Sequence, residues 1–183
     1  MHDVRSATIR PRGPQDVPAC AALASRLRDS DGYPAFMPSD DFERFVAPDD
    51  LLGAFVAVLG GDVVGHVALR RSSAPAATEL ATAALGLDAE RLGFVARLMV
   101  APEARRRSVG RRLLATAVSQ ISSLGRVAVL DVLTRDAAAI ALYEHEGWIR
   151  LGETSFTSRS GAHFDEIVFL APAQREPPGT PGA

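Results

Sequence analysis

Apolar and polar positions follow two rhythms along this chain, and their order predicts the elements. Ala7 to Pro11 reads as a short first strand. Pro14-Gln15-Asp16 resembles a helix entry, and Val17, Cys20, Ala21, Leu23, Ala24 and Leu27 then form one apolar stripe at helical spacing. Asp29 to Pro38 reads as loop, rich in Asp, Gly, Tyr and Pro. Asp40, with Glu43 three residues on, resembles a capping box for a short helix through Val46. Two β-prone runs, Ala54 to Leu59 and Val63 to Leu69, flank Gly60-Gly61-Asp62 and predict a hairpin. Ser72 to Ala76 reads as loop, and the Ala-rich stretch Thr78 to Gly86 has helix-forming composition.

The second half is more regular. Phe94 to Val100 predicts a strand. Leu113, Leu114, Ala117, Val118 and Ile121 then mark one buried face of a helix that Gly125 ends. Val127 to Leu133 is almost continuously apolar, as a strand covered on both faces should be. Asp136 to His145 predicts a helix closed by Gly147. Trp148 to Leu151, Ser155 to Ser158 and Phe164 to Leu170 supply the last strands, with a turn at Ser160-Gly161. Strands and helices in this order predict an α/β domain with a mixed sheet of about seven strands over residues 1–171. The Pro/Gly-rich residues 172–183 read as a disordered tail.

Composition narrows the function classes. The chain has 183 residues, 20 basic and 22 acidic, for a net charge of −2. Near-neutral charge speaks against non-specific nucleic-acid binding, which needs a broad basic surface. No apolar run approaches the ~20 residues that span a membrane, and the first ten residues lack the apolar core of a secretory signal. Cys20 is the only cysteine, and no Cys/His cluster has metal-ligand spacing. These features lead us to expect a cytoplasmic protein that binds no metal, nucleic acid or membrane. Every basic residue is arginine, so the chain offers no lysine amine to an acyl donor.

Candidate chemistry concentrates after the Phe94 to Val100 strand. Ala101-Pro102-Glu103-Ala104 leads into Arg105-Arg106-Arg107-Ser108-Val109-Gly110-Arg111-Arg112 and then into the helix. A loop entering a helix presents free backbone N–H groups, and the helix dipole favours an anion there. The arginines add cationic side chains, so a phosphate-bearing ligand is expected at this turn. A solvated arginine face is the competing reading. The GxxxxGK[ST] phosphate loop is absent, which disfavours an unrelated nucleotide-binding module.

Two motifs give the chain a family resemblance. Val100-Ala101-Pro102 followed by Arg105 to Gly110 resembles the Val-x-Pro, R/Q-x-x-G-x-G/A segment of the GCN5-related N-acetyltransferase (GNAT) family. Asp136, Ala139, Leu142, Tyr143, Gly147 and Trp148 match its Asn-x-x-Ala-x-x-Leu-Tyr-x-x-x-Gly-aromatic motif. The resemblance is strongest from Val95 to Leu170. It implies an acetyl-CoA-dependent acyltransferase that transfers acetyl to a primary amine by direct attack in a ternary complex. It implies that Arg105, Arg106, Arg107, Ser108, Val109, Gly110 and Arg111 hold the CoA pyrophosphate. It also implies that Leu98, Met99 and Val100 pair with the pantetheine arm, that Asp136 and Ala139 line the same site, and that a gap beside this strand admits the thioester. Tyr143 would protonate the departing thiolate; packing against the sheet is its alternative role. Paired subunits, frequent in the family, are a further expectation.

Three departures matter. Ser108 replaces the loop's first Gly and is expected to weaken cofactor binding. Asp136 replaces Asn; it can cap a helix but cannot donate an amide hydrogen bond. The strand Val95 to Val100 lacks a carboxylate, so the general base stays open among Glu90, Asp131, His66, Glu166 and a water chain. These departures leave room for an acyl-CoA-binding sensor or partner domain without turnover. Asp29 to Asp50 and Thr154 to Phe164 would contact the acceptor by analogy with the family. The first segment holds Asp29, Asp31, Asp40, Asp41, Asp49, Asp50, Tyr33 and Phe36, a rim that would suit a cationic amine; helix caps and solvated turns are the plainer reading of those acids. A small amine, an amino acid, a peptide N-terminus and an antibiotic all remain open as acceptors.

Overall fold

The computed structural model describes residues 6–34, 41–158 and 161–172. Seven strands form one sheet: β1 (Thr8–Pro11), β2 (Leu51–Leu59), β3 (Asp62–Arg70), β4 (Leu92–Val100), β5 (Val127–Leu133), β6 (Ile149–Thr157) and β7 (His163–Leu170). Their order is β1-β2-β3-β4-β5-β7-β6, and only β4 and β5 run parallel. The helices are α1 (Val17–Asp31), α2 (Phe42–Val46), α3 (Pro75–Leu85), α4 (Val109–Ser123) and α5 (Ala137–His145).

The mixed α/β architecture is as expected, with local corrections. The α1 helix extends through Asp29 to Asp31, which the sequence suggested were loop; Gly32, at φ 70°, ends it in the left-handed conformation. Asp41, not Asp40, caps α2, its carboxylate accepting from the Arg44 N–H at 2.9 Å. The segments expected as separate strands before β7 are one strand, β6, continuous across an irregularity between Arg150 and Gly152. Phe36, Asp40 and all but the first residue of the expected tail lie outside the described residues.

Alternation along the central strands puts apolar side chains on both faces of the sheet. Phe94, Val129 and Val168 pack with Ala77 and Ala81 of α3. Val95, Leu130 and Phe169, each one residue along, belong to the larger core that includes α4 and Tyr143 of α5. The buried face of α4 is the one its sequence spacing marks, with Val109 added. Glycine lets this helix sit close: a Cβ on Gly93 would stand 2.7 Å from Ile121 Cγ2. Here the sequence sets the distance between helix and sheet.

One histidine pins the strand that carries the site. His66 is fully buried on β3, opposite Met99. Its Nδ1 lies 3.0 Å from the Arg97 carbonyl and its Nε2 3.3 Å from Arg12 Nη1. A neutral ring protonated on Nδ1 satisfies both neighbours. Burial, reinforced by the charges of Arg12 and Arg97, pushes its pKa down to about 4. A histidine depressed in this way stabilises the fold above its unfolded value near 6.5, and that stability is lost as pH falls toward 4. The loss amounts to roughly 3 kcal/mol. Urea unfolding should therefore show a steep loss of stability between about pH 6.5 and pH 4. His66→Gln should flatten that slope, and an unchanged slope would remove His66 as its source.

A candidate active site where two strands part

The parallel pairing of β4 with β5 is confined to Leu92, Gly93 and Phe94 against Val127, Ala128 and Val129. Beyond Phe94 the strands part, and the edge of β4 from Val95 to Val100 has no β5 partner. The register between β3 and β4 shifts between His66 and Ala68, and Arg97 adopts φ 54°. A non-glycine residue in the left-handed region costs about 1–2 kcal/mol. The His66 hydrogen bond to the Arg97 carbonyl holds it there. Among the expected cofactor residues, Met99 is buried and offers only backbone to a ligand, while Leu98 and Val100 are half-buried at the open edge.

The arginine loop follows directly. Arg106 and Ser108 have φ 60° and 57°, and the intervening Arg107 does not share this conformation. Such alternation turns successive N–H groups inward to form an anion nest. Among the described residues, the N–H groups of Arg106 through Arg111 have no backbone acceptor; the first helical bond runs from Arg112 N–H to the Ser108 carbonyl at 3.0 Å. Gly110 fits where a Cβ would lie 3.5 Å from Val100 and 3.7 Å from Leu142, so α4, β4 and α5 meet at this turn.

The five arginines do not act alike. Arg105 pairs with Asp31 at the end of α1, and its Nε donates to the Val100 carbonyl at 3.3 Å. Arg111 pairs with Glu146 at 3.2 Å, and Arg112 turns away to the Ala7 carbonyl at 2.7 Å. Of the five, Arg106 and Arg107 form no ion pair or hydrogen bond among the described residues and stay exposed. They are the arginines free to meet a phosphate. Ser108 stands at the N-cap of α4 but makes no side-chain cap.

The opposite wall comes from β5, α5 and β7. Tyr143 is buried against Trp148 and Phe169, with ring centroids 5.9 and 6.0 Å away. Burial raises its phenol pKa, and the nearby Tyr33, Asp131 and Asp136 raise it further. At neutral pH it is a protonated donor. Asp136 occupies the N-cap position of α5, but its carboxylate makes no cap bond, contrary to expectation; burial raises its pKa. Ala139 is half-buried in the first turn.

The base candidates now separate. Glu90 is exposed in a short 3-10 turn before β4, at the end remote from the parting of the strands. His66 is buried and already bonded on both nitrogens. Asp131 and Glu166 come together: Asp131 faces Val168 across the β5–β7 ladder, and Glu166 lies diagonally on the same face. The Asp131 carboxylate accepts from Ser73 Oγ, and Asp131 also bonds Glu166. Glu166 is buried, with Oε2 lacking a hydrogen bond among the described residues. Burial first, then the Asp131 charge, pushes its pKa up.

The acidic rim does not assemble. Asp31 pairs with Arg105, Asp41 caps α2, and Asp50 binds Arg70 and Ser72. Asp29 is exposed, and exposed Asp49 lies 3.9 Å from Arg44. At the other acceptor segment, a hollow lined by Thr134, Glu153, Thr154, Ser155 and Asp165 opens beside the end of β5. Among the described residues no His/Cys/Asp/Glu group could hold a metal, and no helix is long and apolar enough to cross a membrane.

A sheet opened by a bulged strand, with an anion nest at the following helix, defines an acyl-CoA-type transferase scaffold. A model of the Acetyltransferase (GNAT) family matches residues 21–148, and the chain belongs to that family. The fold is similar to that of the ribosomal-protein-S18-alanine N-acetyltransferase from Escherichia coli, with 20% identity, 95% of this chain and 98% of that chain covered, and a TM-score of 0.64. It is also similar to Arabidopsis thaliana NAA60 in complex with acetyl-CoA, with 21% identity, coverage of 90% and 97%, and a TM-score of 0.67. The ribosomal-protein-alanine N-acetyltransferase from Brucella melitensis matches at 19% identity, coverage of 89% and 98%, and a TM-score of 0.65. No curated protein sequence matches the chain.

Two variants test this geometry. Ser108→Gly relieves the left-handed serine but adds glycine's unfolded-state entropy, for a net gain of about 0.5–1 kcal/mol in urea unfolding. It should also tighten acetyl-CoA binding by calorimetry; unchanged affinity would show that the serine is no handicap. Glu166 holds a proton in the fold that the unfolded chain releases near pH 4.3, so its contribution to stability falls as pH rises from there toward its raised value. Glu166→Gln should gain stability relative to the parent between about pH 5 and pH 8, and a difference independent of pH would contradict the raised pKa.

Proposed function

We propose that this chain transfers acetyl from acetyl-CoA to a primary amine by direct attack in a ternary complex. One observation carries the reading. Asp131 lies on β5 two residues past its last pairing with β4, with Glu166 diagonal to it on β7; Tyr143 packs on the other face of the same sheet, and a nest of free N–H groups follows β4. The nest fits a diphosphate in charge and geometry, and the open β4 edge from Leu98 to Val100 fits an extended amide-bearing arm.

Acetyl-CoA would supply the activated acyl group as a thioester. The chain's own groups do the rest. Arg106 and Arg107 add charge to the nest. An N–H on the free β4 edge is placed to donate to a developing oxyanion. The Tyr143 hydroxyl delivers a proton to the departing sulfur. An ammonium is not a nucleophile, so the acceptor must lose a proton. Asp131, held by Ser73 and Glu166, takes it directly or through one water. Glu166 shares its proton with Asp131 and keeps two adjacent carboxyls from both being charged.

Steady-state thiol release against a panel of primary amines tests the reading. Tyr143→Phe should lower kcat about 100-fold or more with little change in acetyl-CoA affinity, a loss typical of one proton-transfer group. Asp131→Asn should lower kcat/KM by a similar factor. Full activity in both variants would remove these assignments. Failure to bind acetyl-CoA would remove the acetyl-transfer reading altogether.

A further inference from the structure

Arg97 is a cation that the proposed chemistry does not use. It lies in the unpaired part of β4, three residues past the last β5 contact, and its carbonyl is anchored by His66. Its guanidinium lies over the Phe45 ring, 4.1 Å from the centroid, and Nε donates to the Phe45 carbonyl at 3.3 Å. Tyr33 packs edge-on against the same Phe45 ring, with centroids 6.2 Å apart. Among the described residues no carboxylate comes within ion-pair distance: Asp50 is taken by Arg70, and Asp131 by Ser73 and Glu166.

A guanidinium has five N–H donors in a rigid fork. The Phe45 carbonyl occupies one of them, and the rest have no acceptor among the described residues. Burial lowers the pKa of Arg97, with Tyr33, Asp131 and Asp50 its nearest compensating groups. The free nitrogens of the fork are not among the buried unpartnered atoms, so they reach solvent, where an anion can replace water as their acceptor. The cation also adopts a strained backbone, and such strain persists where the surroundings over-determine it, commonly at ligand sites. The stacking on the Phe45 ring and the Nε bond to the Phe45 carbonyl hold the fork in one orientation, which suits two-point recognition of a carboxylate.

We propose that Arg97 is an anion subsite for the acceptor, so that the amine acetylated here carries a carboxylate close to its nitrogen, as a free amino acid does. The inference rests on the acetyl-transfer reading for the amine half and extends it. The ammonium end faces Asp131 and Glu166, the carboxylate end faces Arg97, and the two protein charges match a zwitterion. A peptide N-terminus lacks the adjacent carboxylate, because that group has become an amide. Acceptors with neutral amides would leave the fork unpaired and bind more weakly.

Binding tests this without requiring turnover. N-acetylated amino acids and their C-terminal amides, paired across side-chain types, would be titrated into the protein with saturating free CoA. At least one free acid should bind 10-fold or more tightly than its amide. In Arg97→Gln that preference should fall to within 2-fold while CoA affinity is retained, and Arg97→Lys should recover only part of it. Equal binding of acids and amides by the parent protein would overturn the subsite even if acetyl transfer is observed, and it does not depend on the variant folding. A preference retained by folded Arg97→Gln would place the carboxylate elsewhere. An acid preference with no turnover on any amine would support the subsite while removing the transferase reading.

Discussion

The parting of β4 from β5 after Phe94 is the constraint on which the rest depends. Parallel strands ordinarily continue their ladder, because unpaired backbone polar groups are expensive to bury. Here pairing stops after three residue pairs, and the free edge of β4 becomes the place where an extended ligand can bond. The bulge at Arg97 turns the strand, and His66 holds the turned carbonyl. The imidazole donates from Nδ1 to that carbonyl, and in its neutral state accepts from Arg12 at Nε2, so protonation in acid sets a cation against the Arg12 guanidinium.

Charge is placed in layers around that opening. At the outer end of β4, structural ion pairs absorb Arg105 and Arg111, leaving backbone N–H groups with Arg106 and Arg107 to face an anion. The Arg105–Asp31 pair ties the end of α1 to the same loop. Deeper in, burial holds Tyr143 protonated, and burial with the neighbouring Asp131 pushes the Glu166 pKa up. Environment, rather than residue type, separates donor from acceptor: two carboxyls beside each other cannot both ionise freely, and a phenol packed between aromatic rings does not ionise at neutral pH.

Much of the fold was legible in the residues, because burial patterns are local. The stripe on α4, the continuous apolar run of β5 and the glycine turn between β2 and β3 each state their element in consecutive positions. The two motifs carried the placement of the nest and of Tyr143. The misreadings had local causes as well. Asp29 to Asp31 looked like loop because their polarity was mistaken for a break, whereas Gly32 is the actual stop. Asp40 and Asp41 offer the same cap chemistry one residue apart, and composition does not choose between them.

What the sequence determined by itself was the order of elements, the anion-seeking loop and a set of ionisable residues without partners. The tertiary structure alone decided which of those residues meet. Asp131 and Glu166 are 35 positions apart and become neighbours only through the antiparallel β5–β7 register. His66 stood among the candidate bases, because its own strand cannot announce that Arg12 and the Arg97 carbonyl will close over it. Arg97 has no side-chain signature for a left-handed backbone, since that conformation is imposed by the shift between β3 and β4. Hydrophobic periodicity is written residue by residue. Pairing, strain and shared protons arise between distant residues, and only the folded chain sets those distances.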